Sequence, residues 1–141
     1  MKITLMSLLP CILAPAVATA GSTIHLNSEP GDYIGGGITQ TLSDSTGTIS
    51  LDYTQSQLTL GYEDANTDLD MVFSSPDNQV LEEEHYLNAQ RNAFKGALRA
   101  GLSVSMDHRG CNTIDGDFFI HELDLAAANP VIALDFVQYC G

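Results

Sequence analysis

The sequence predicts an all-β protein: a single antiparallel β-sandwich, jelly-roll-like, of about eight strands, with one disulfide and at most one short helix. Three observations carry this expectation. Apolar residues recur at every second position through much of the chain. Clusters of Gly, Pro, Asn, Asp and Ser separate these runs at short intervals. Two cysteines, Cys111 and Cys140, follow an opening segment with the composition of an export signal.

The opening segment subtracts from the fold. Lys2 supplies a short positive region, an apolar run follows to Val17, and Ala18-Thr19-Ala20 has the small-x-small pattern of a cleavage site. Residues 1–20 therefore read as a signal peptide and residues 21–141 as one β-sandwich domain. Pro10 and Pro15 break the run, which is short for a membrane span. Cys11 follows Pro10, where lipid attachment needs a small residue. The expected location is periplasmic or extracellular, without membrane attachment after cleavage.

The strands follow in order. Residues 22–27 and 33–42 have strand character, although Gly35, Gly36 and Gly37 lie inside the second, where they suggest a bulge or a close backbone approach. In residues 48–53, Ile49, Leu51 and Tyr53 share one face; in residues 57–62, Leu58, Leu60 and Tyr62 do so. Leu69, Met71 and Phe73 repeat the pattern in residues 68–73. Phe118 and Ile120 alternate with Phe119, His121 and Leu123, and residues 131–139 close the series with Ile132, Leu134, Phe136 and Gln138 on one face. Turn signals fall at Glu29-Pro30-Gly31-Asp32, residues 43–47, residues 63–67, Ser75-Pro76-Asp77-Asn78 and Asn129-Pro130.

Residues 81–100 resist the scheme. They are rich in Glu, Ala, Gln, Leu, Lys and Arg, and Val80, Leu87, Phe94 and Leu98 recur at near-helical intervals. Asn88, Asn92 and Gly96 interrupt the segment, and no strong cap precedes it. A short helix and an extended strand around residues 86–91 both fit.

Charge excludes partners. The chain holds 18 acidic and five basic residues, and Lys2 leaves with the signal, so the mature net charge is four minus 18, or −14. Nucleic acid and anionic membrane are disfavoured. Arg91, Lys95, Arg99 and Arg109 fall in one stretch after Glu82-Glu83-Glu84, and are expected to fold back onto acidic neighbours or to form a cationic patch. The two mature cysteines read as a disulfide closing a loop of about thirty residues.

Sites of chemistry are sparse. Asp64-x-Asn66-x-Asp68-x-Asp70 has the alternating oxygen spacing with which a calcium loop opens. Leu69 stands where such a loop needs Gly and Ser75 where it needs Glu, so an acidic hairpin tip explains the cluster as well. Asp115-Gly116-Asp117, with Asp107 nearby, reads as a surface turn. His25, His85, His108 and His121 are scattered without metal-ligand spacing. His121 has Glu122 and Asp124 beside it to orient a base, but no nucleophile motif accompanies it.

Several stretches resemble an uncharacterised group of bacterial secreted and surface β-domains. They are Gly31-Asp32-Tyr33-Ile34-Gly35, Ala89-Gln90-Arg91-Asn92-Ala93-Phe94, Gly101-Leu102-Ser103-Val104-Ser105, Arg109-Gly110-Cys111-Asn112-Thr113 and Phe136-x-Gln138-x-Cys140, with Gly116-Asp117-Phe118 as a strand opening. The resemblance implies an exported β-rich module without assigned chemistry, and favours strand over helix at residues 86–94. In that group a further strand commonly follows the second cysteine, whereas here Gly141 comes directly after Cys140; either that strand is dispensable or a sheet edge stays open to pairing with another chain.

The functional expectation is a non-catalytic binding module for a carbohydrate or a protein surface, with calcium as a stabilising ion. Tyr33, Tyr53, Tyr62, Tyr86 and Tyr139 offer rings for stacking on sugars, although the chain has no Trp. The alternatives are an interaction protein pairing through its open edge and, last, a small hydrolase.

Overall fold

The structure, a computed structural model, describes residues 21–141; the signal-peptide reading of residues 1–20, with Cys11, lies outside the described residues. The described chain is almost entirely β. Strands β1 (Thr23–Asn27) and β2 (Thr39–Ser43) form a two-stranded ribbon. A curled sheet holds β3 (Thr48–Tyr53), β4 (Gln57–Glu63), β5 (Asp68–Ser74), β6 (His85–Arg91), β7 (Gly101–Met106), β8 (Ile114–Asp124) and β9 (Val131–Cys140) in the order β3-β4-β5-β7-β6-β8-β9. The all-β class and the Cys111–Cys140 disulfide are as expected. The two sheets are unequal, and the described strands number nine.

Alternation is visible where one face of the sheet is buried. Leu58, Tyr62, Leu69, Met71 and Phe73 are inside, with Leu102, Val104, Met106, Phe118 and Ile120 from the later strands. An aromatic cluster sits at the centre: the Phe73 centroid lies 5.3 Å from Phe118 and 5.7 Å from Phe136, and Tyr86 stacks on Phe118 at 4.6 Å. β7 is a strand the periodic reading passed over, although Leu102, Val104 and Met106 alternate with Ser103 and Ser105.

The sheet departs from the expected antiparallel pairing at one place. β6 and β7 are parallel over Gln90↔Gly101 and Arg91↔Leu102. The chain leaves β6 through a 3-10 turn at Asn92–Phe94 and re-enters the sheet in the same direction at Gly101. A tight hairpin reverses direction, so this longer connection is what makes the parallel pair possible.

Residues 81–100 thus contain a strand and a 3-10 turn. The apolar residues at helical spacing are the solvent-facing ones: Val80, Leu87, Phe94 and Leu98 are 58%, 56%, 75% and 83% exposed. Tyr86 and Ala89 are buried instead: a regular strand would put them on opposite faces, and a bulge between them brings both to the core. Asn88, at φ 53, takes up the bulge in β6, and its N–H donates to Asp117 Oδ1 at 2.7 Å.

The basic stretch does not fold onto carboxylates. Among the described residues no Lys or Arg lies within 4.0 Å of a carboxylate, and the only ionisable pair at that distance is His121 with Asp135. Lys95 Nζ donates to the carbonyls of Ser75 at 2.6 Å and Arg99 at 3.4 Å. Arg91 donates to the Asn112 carbonyl at 3.2 Å, and its guanidinium lies 4.9 Å from the Phe94 ring centroid. These cations pin loops through main-chain oxygens, which compensates their charge without an anion.

Residues 33–37, expected as strand, form a turn. Asp32 Oδ1 accepts from Ile34 N at 2.9 Å and Gly35 N at 2.6 Å, and Gly36 and Gly37 adopt φ of 64° and 82°. An Asx turn followed by two left-handed residues cannot continue a strand.

Candidate functional site

The turn at residues 28–37 forms one end of a groove of about 810 Å³. Its wall is held by Ser28, whose N–H donates to the Ile38 carbonyl at 3.0 Å and whose Oγ accepts from Gly37 N at 3.1 Å. Tyr33 and Ile38 line the groove from this side and are 60% and 51% exposed. Leu69, Val104 and Met106, from the inner face of the large sheet, form its floor.

The facing wall is β9, which lines the groove continuously from Leu134 to Cys140. β9 pairs with β8 alone, and its other edge has no strand beside it among the described residues. The register shows which groups are free. Gly141 N donates to the Thr113 carbonyl, and Tyr139, Val137 and Asp135 stand opposite Asp115, Asp117 and Phe119. Because antiparallel bonding alternates along a strand, the main-chain groups of Leu134, Phe136, Gln138 and Cys140 point away from β8. β1 likewise pairs only with β2, and His25, Leu26 and Asn27 line the groove. Among the described residues its charged lining residues are Glu29, Asp32 and Asp135, with no Lys or Arg.

The remaining candidates lie elsewhere. Asp64 caps the β4–β5 hairpin: Oδ1 accepts from Asn66 N at 2.7 Å and Thr67 N at 2.8 Å, and Oδ2 accepts from the Tyr62 hydroxyl at 2.8 Å. The Asn66 N–H first, then the Tyr62 hydroxyl and the Thr67 N–H, hold this carboxyl below its ordinary range. Asp68 N donates to Asp107 Oδ1 at 3.0 Å, and Asp70 stands opposite Gly61. Among the described residues no three His, Cys, Asp or Glu side chains are grouped to hold a metal ion.

The histidines stay apart in chemistry. His25 bonds the Thr41 hydroxyl at 3.0 Å, and His108 lies in a turn at φ 64. His121 pairs with Asp135, at 2.7 Å, rather than with its sequence neighbours Glu122 and Asp124. Phe119 sits edge-on to His121 at 4.2 Å and 5.7 Å from His85. Of the tyrosines, Tyr62 and Tyr86 are core residues, whereas Tyr33, Tyr53 and Tyr139 are exposed.

Two of the stretches that carry the resemblance, Gly31-Asp32-Tyr33-Ile34-Gly35 and Phe136-x-Gln138-x-Cys140, face each other across the groove. Sequence reading singled out both without placing them together. The signal that could have joined them is the run of glycines at residues 35–37, which marks a turn instead of a strand. No known protein family, curated protein or solved structure matches the chain.

Proposed function

We propose that the protein is an exported, non-catalytic binding module whose site is the groove between β9 and the β1–β2 ribbon. The groove itself carries the reading: about 810 Å³ of space over an apolar floor, with exposed Tyr33 and Ile38 on one side and Val137 and Tyr139 on the other. Exposed large apolar residues gathered around a concavity are the mark of a surface that binds. Export is supported by the composition of residues 1–20 and by a disulfide suited to an oxidising compartment. Among the described residues no helix is long and apolar enough to cross a membrane.

Binding is favoured over catalysis by the setting of the His–Asp pair. The His121 and Asp135 side chains are 42% and 83% exposed, and among the described residues the only hydrogen-bond partner of the His121 ring is Asp135. A base without a hydroxyl or thiol in reach has nothing to activate except water, and at this exposure nothing excludes bulk water.

The test is an amide-shift titration of the isotope-labelled protein with decapeptides and with chito- and cello-hexaose. The expected result is a set of shifts confined to the groove, centred on Tyr33, Ile38, Val137 and Tyr139, and abolished in the Tyr33→Ala, Tyr139→Ala double variant with its melting temperature unchanged. Shifts centred elsewhere, or none with any probe, would sink the reading.

A further inference from the structure

We infer that the occupant of the groove is an extended, basic polypeptide segment that adds to the free edge of β9 as a further strand. The inference rests on the groove being the binding site, and goes beyond it by assigning the ligand class.

Main-chain groups carry the first part of the argument. Leu134, Phe136, Gln138 and Cys140 present N–H and C=O groups to the groove side at every second residue. At about 3.4 Å per residue the lining stretch of β9 runs roughly 24 Å. The partner that matches such a row, donor to acceptor and acceptor to donor, is another extended backbone. A sugar stacked on Tyr33 or Tyr139 would leave it unmatched.

The surroundings specify the side chains. A strand alternates its side chains between two faces, so one set would meet the floor of Leu69, Val104 and Met106. The other set would meet the rim, where Glu29 and Asp135 are exposed carboxylates that no Lys or Arg pairs with among the described residues, Asp135 bonding only the His121 ring. The complementary segment therefore alternates apolar residues with Lys or Arg. A second copy of this chain fits poorly, because residues 21–141 carry a net charge of −14, so two copies repel and neither brings Lys or Arg on β9 to the other's acidic rim.

The experiment uses the protein expressed from its full sequence and isolated in oxidised form. The probes are an acetylated, amidated decapeptide of alternating Val and Lys, its Val–Glu counterpart, a Val–Lys peptide with alternate amides N-methylated, and chitohexaose. The Val–Lys peptide is expected to bind, to slow exchange of the Leu134, Phe136 and Gln138 amides about tenfold or more, and to weaken with added salt. The Glu29→Lys, Asp135→Lys double variant, with an unchanged melting temperature, should lose about tenfold in affinity for Val–Lys and gain for Val–Glu.

Equal binding of the N-methylated peptide, or groove shifts with chitohexaose but none with any peptide, overturns strand addition and leaves the binding module standing. Equal affinity for Val–Lys and Val–Glu overturns the basic partner. Protection of β9 that grows with protein concentration alone assigns the edge to a second copy and overturns the inference. Silence of the groove with every probe removes both proposals together.

Discussion

The side-chain amide of Gln138 holds both main-chain groups of Val104: Oε1 accepts from Val104 N at 2.7 Å and Nε2 donates to Val104 O at 3.0 Å. β6 ends at Arg91, so from Ser103 onward β7 has β5 on one edge and no strand on the other among the described residues, and a glutamine from β9 takes the place of one there. Its neighbours on the same face anchor the strand too. Phe136 packs on Phe73, and Cys140 is bonded to Cys111. The inner face of β9 is fastened at three alternate positions while its outer edge is free, so the edge can offer hydrogen bonds to a partner without moving.

Gln138→Leu keeps the size of the side chain and removes both hydrogen bonds, stranding a half-buried N–H and C=O. We expect a loss of about 2 kcal/mol in urea unfolding. Gln138→Glu keeps an acceptor for Val104 N but turns a carboxylate oxygen towards Val104 O, so its deficit should shrink as the pH falls and the carboxyl protonates. A Leu variant as stable as the parent would show the pair to be incidental.

Cys111→Ser with Cys140→Ser opens a loop between residues 29 apart in sequence, whose ends lie 5.2 Å apart at Cα. The chain-entropy relation gives a loss of roughly 3 to 4 kcal/mol, measured as a shift in urea midpoint against the oxidised parent. Because the bond ties the end of β9 to the loop before β8, exchange of the Tyr139 amide should accelerate more than that of Leu69 in the core.

Alternation made β3, β4, β5 and β9 legible, because each has one buried and one open face and the period of two follows. It failed at residues 33–37, where glycine and Asp32 turn the chain, and at residues 81–100, where helix-favouring side chains occupy a strand whose contacts are set by distant residues. The cysteine pairing was legible from the two cysteines that remain after the expected export signal. The groove was not, because it depends on which strand lies beside which: with β6 inserted between β7 and β8, β9 is left at the edge. Gln138 could be placed on an inward face from its spacing, but nothing local says that its partner is Val104.

Asp64 supports the β4–β5 hairpin as an anion. Its depressed pKa means that this support is complete above the unfolded carboxylate range and disappears as the pH falls through the folded value. Asp64→Asn should lower the melting temperature at pH 7, with the difference from the parent narrowing in acid. Since both oxygens already accept hydrogen bonds, millimolar calcium should leave the melting temperature where chelator leaves it. A clear rise in calcium would instead mean that Asn66, Asp68 and Asp70 close around the ion with Asp64.

Tyr86 sets the alkaline limit. Its ring is buried against Phe118, and its hydroxyl accepts from Glu82 N at 2.9 Å. Burial first, opposed by the contact with the Glu82 carbonyl and reinforced by the Glu84 carboxylate, pushes the phenol up to about 12. The folded state then keeps a proton that the unfolded chain gives up near pH 10. Unfolding releases that proton, so the stabilisation is complete below about pH 10 and is lost as the pH rises through about 12. Urea midpoints measured from pH 8 to pH 11.5 should fall more steeply for the parent than for Tyr86→Phe, which has no proton to lose. At pH 8 the order should reverse, the Phe variant being the weaker because Glu82 N has lost its acceptor. Parallel pH profiles would mean that the phenol ionises in the folded state as freely as in the unfolded one.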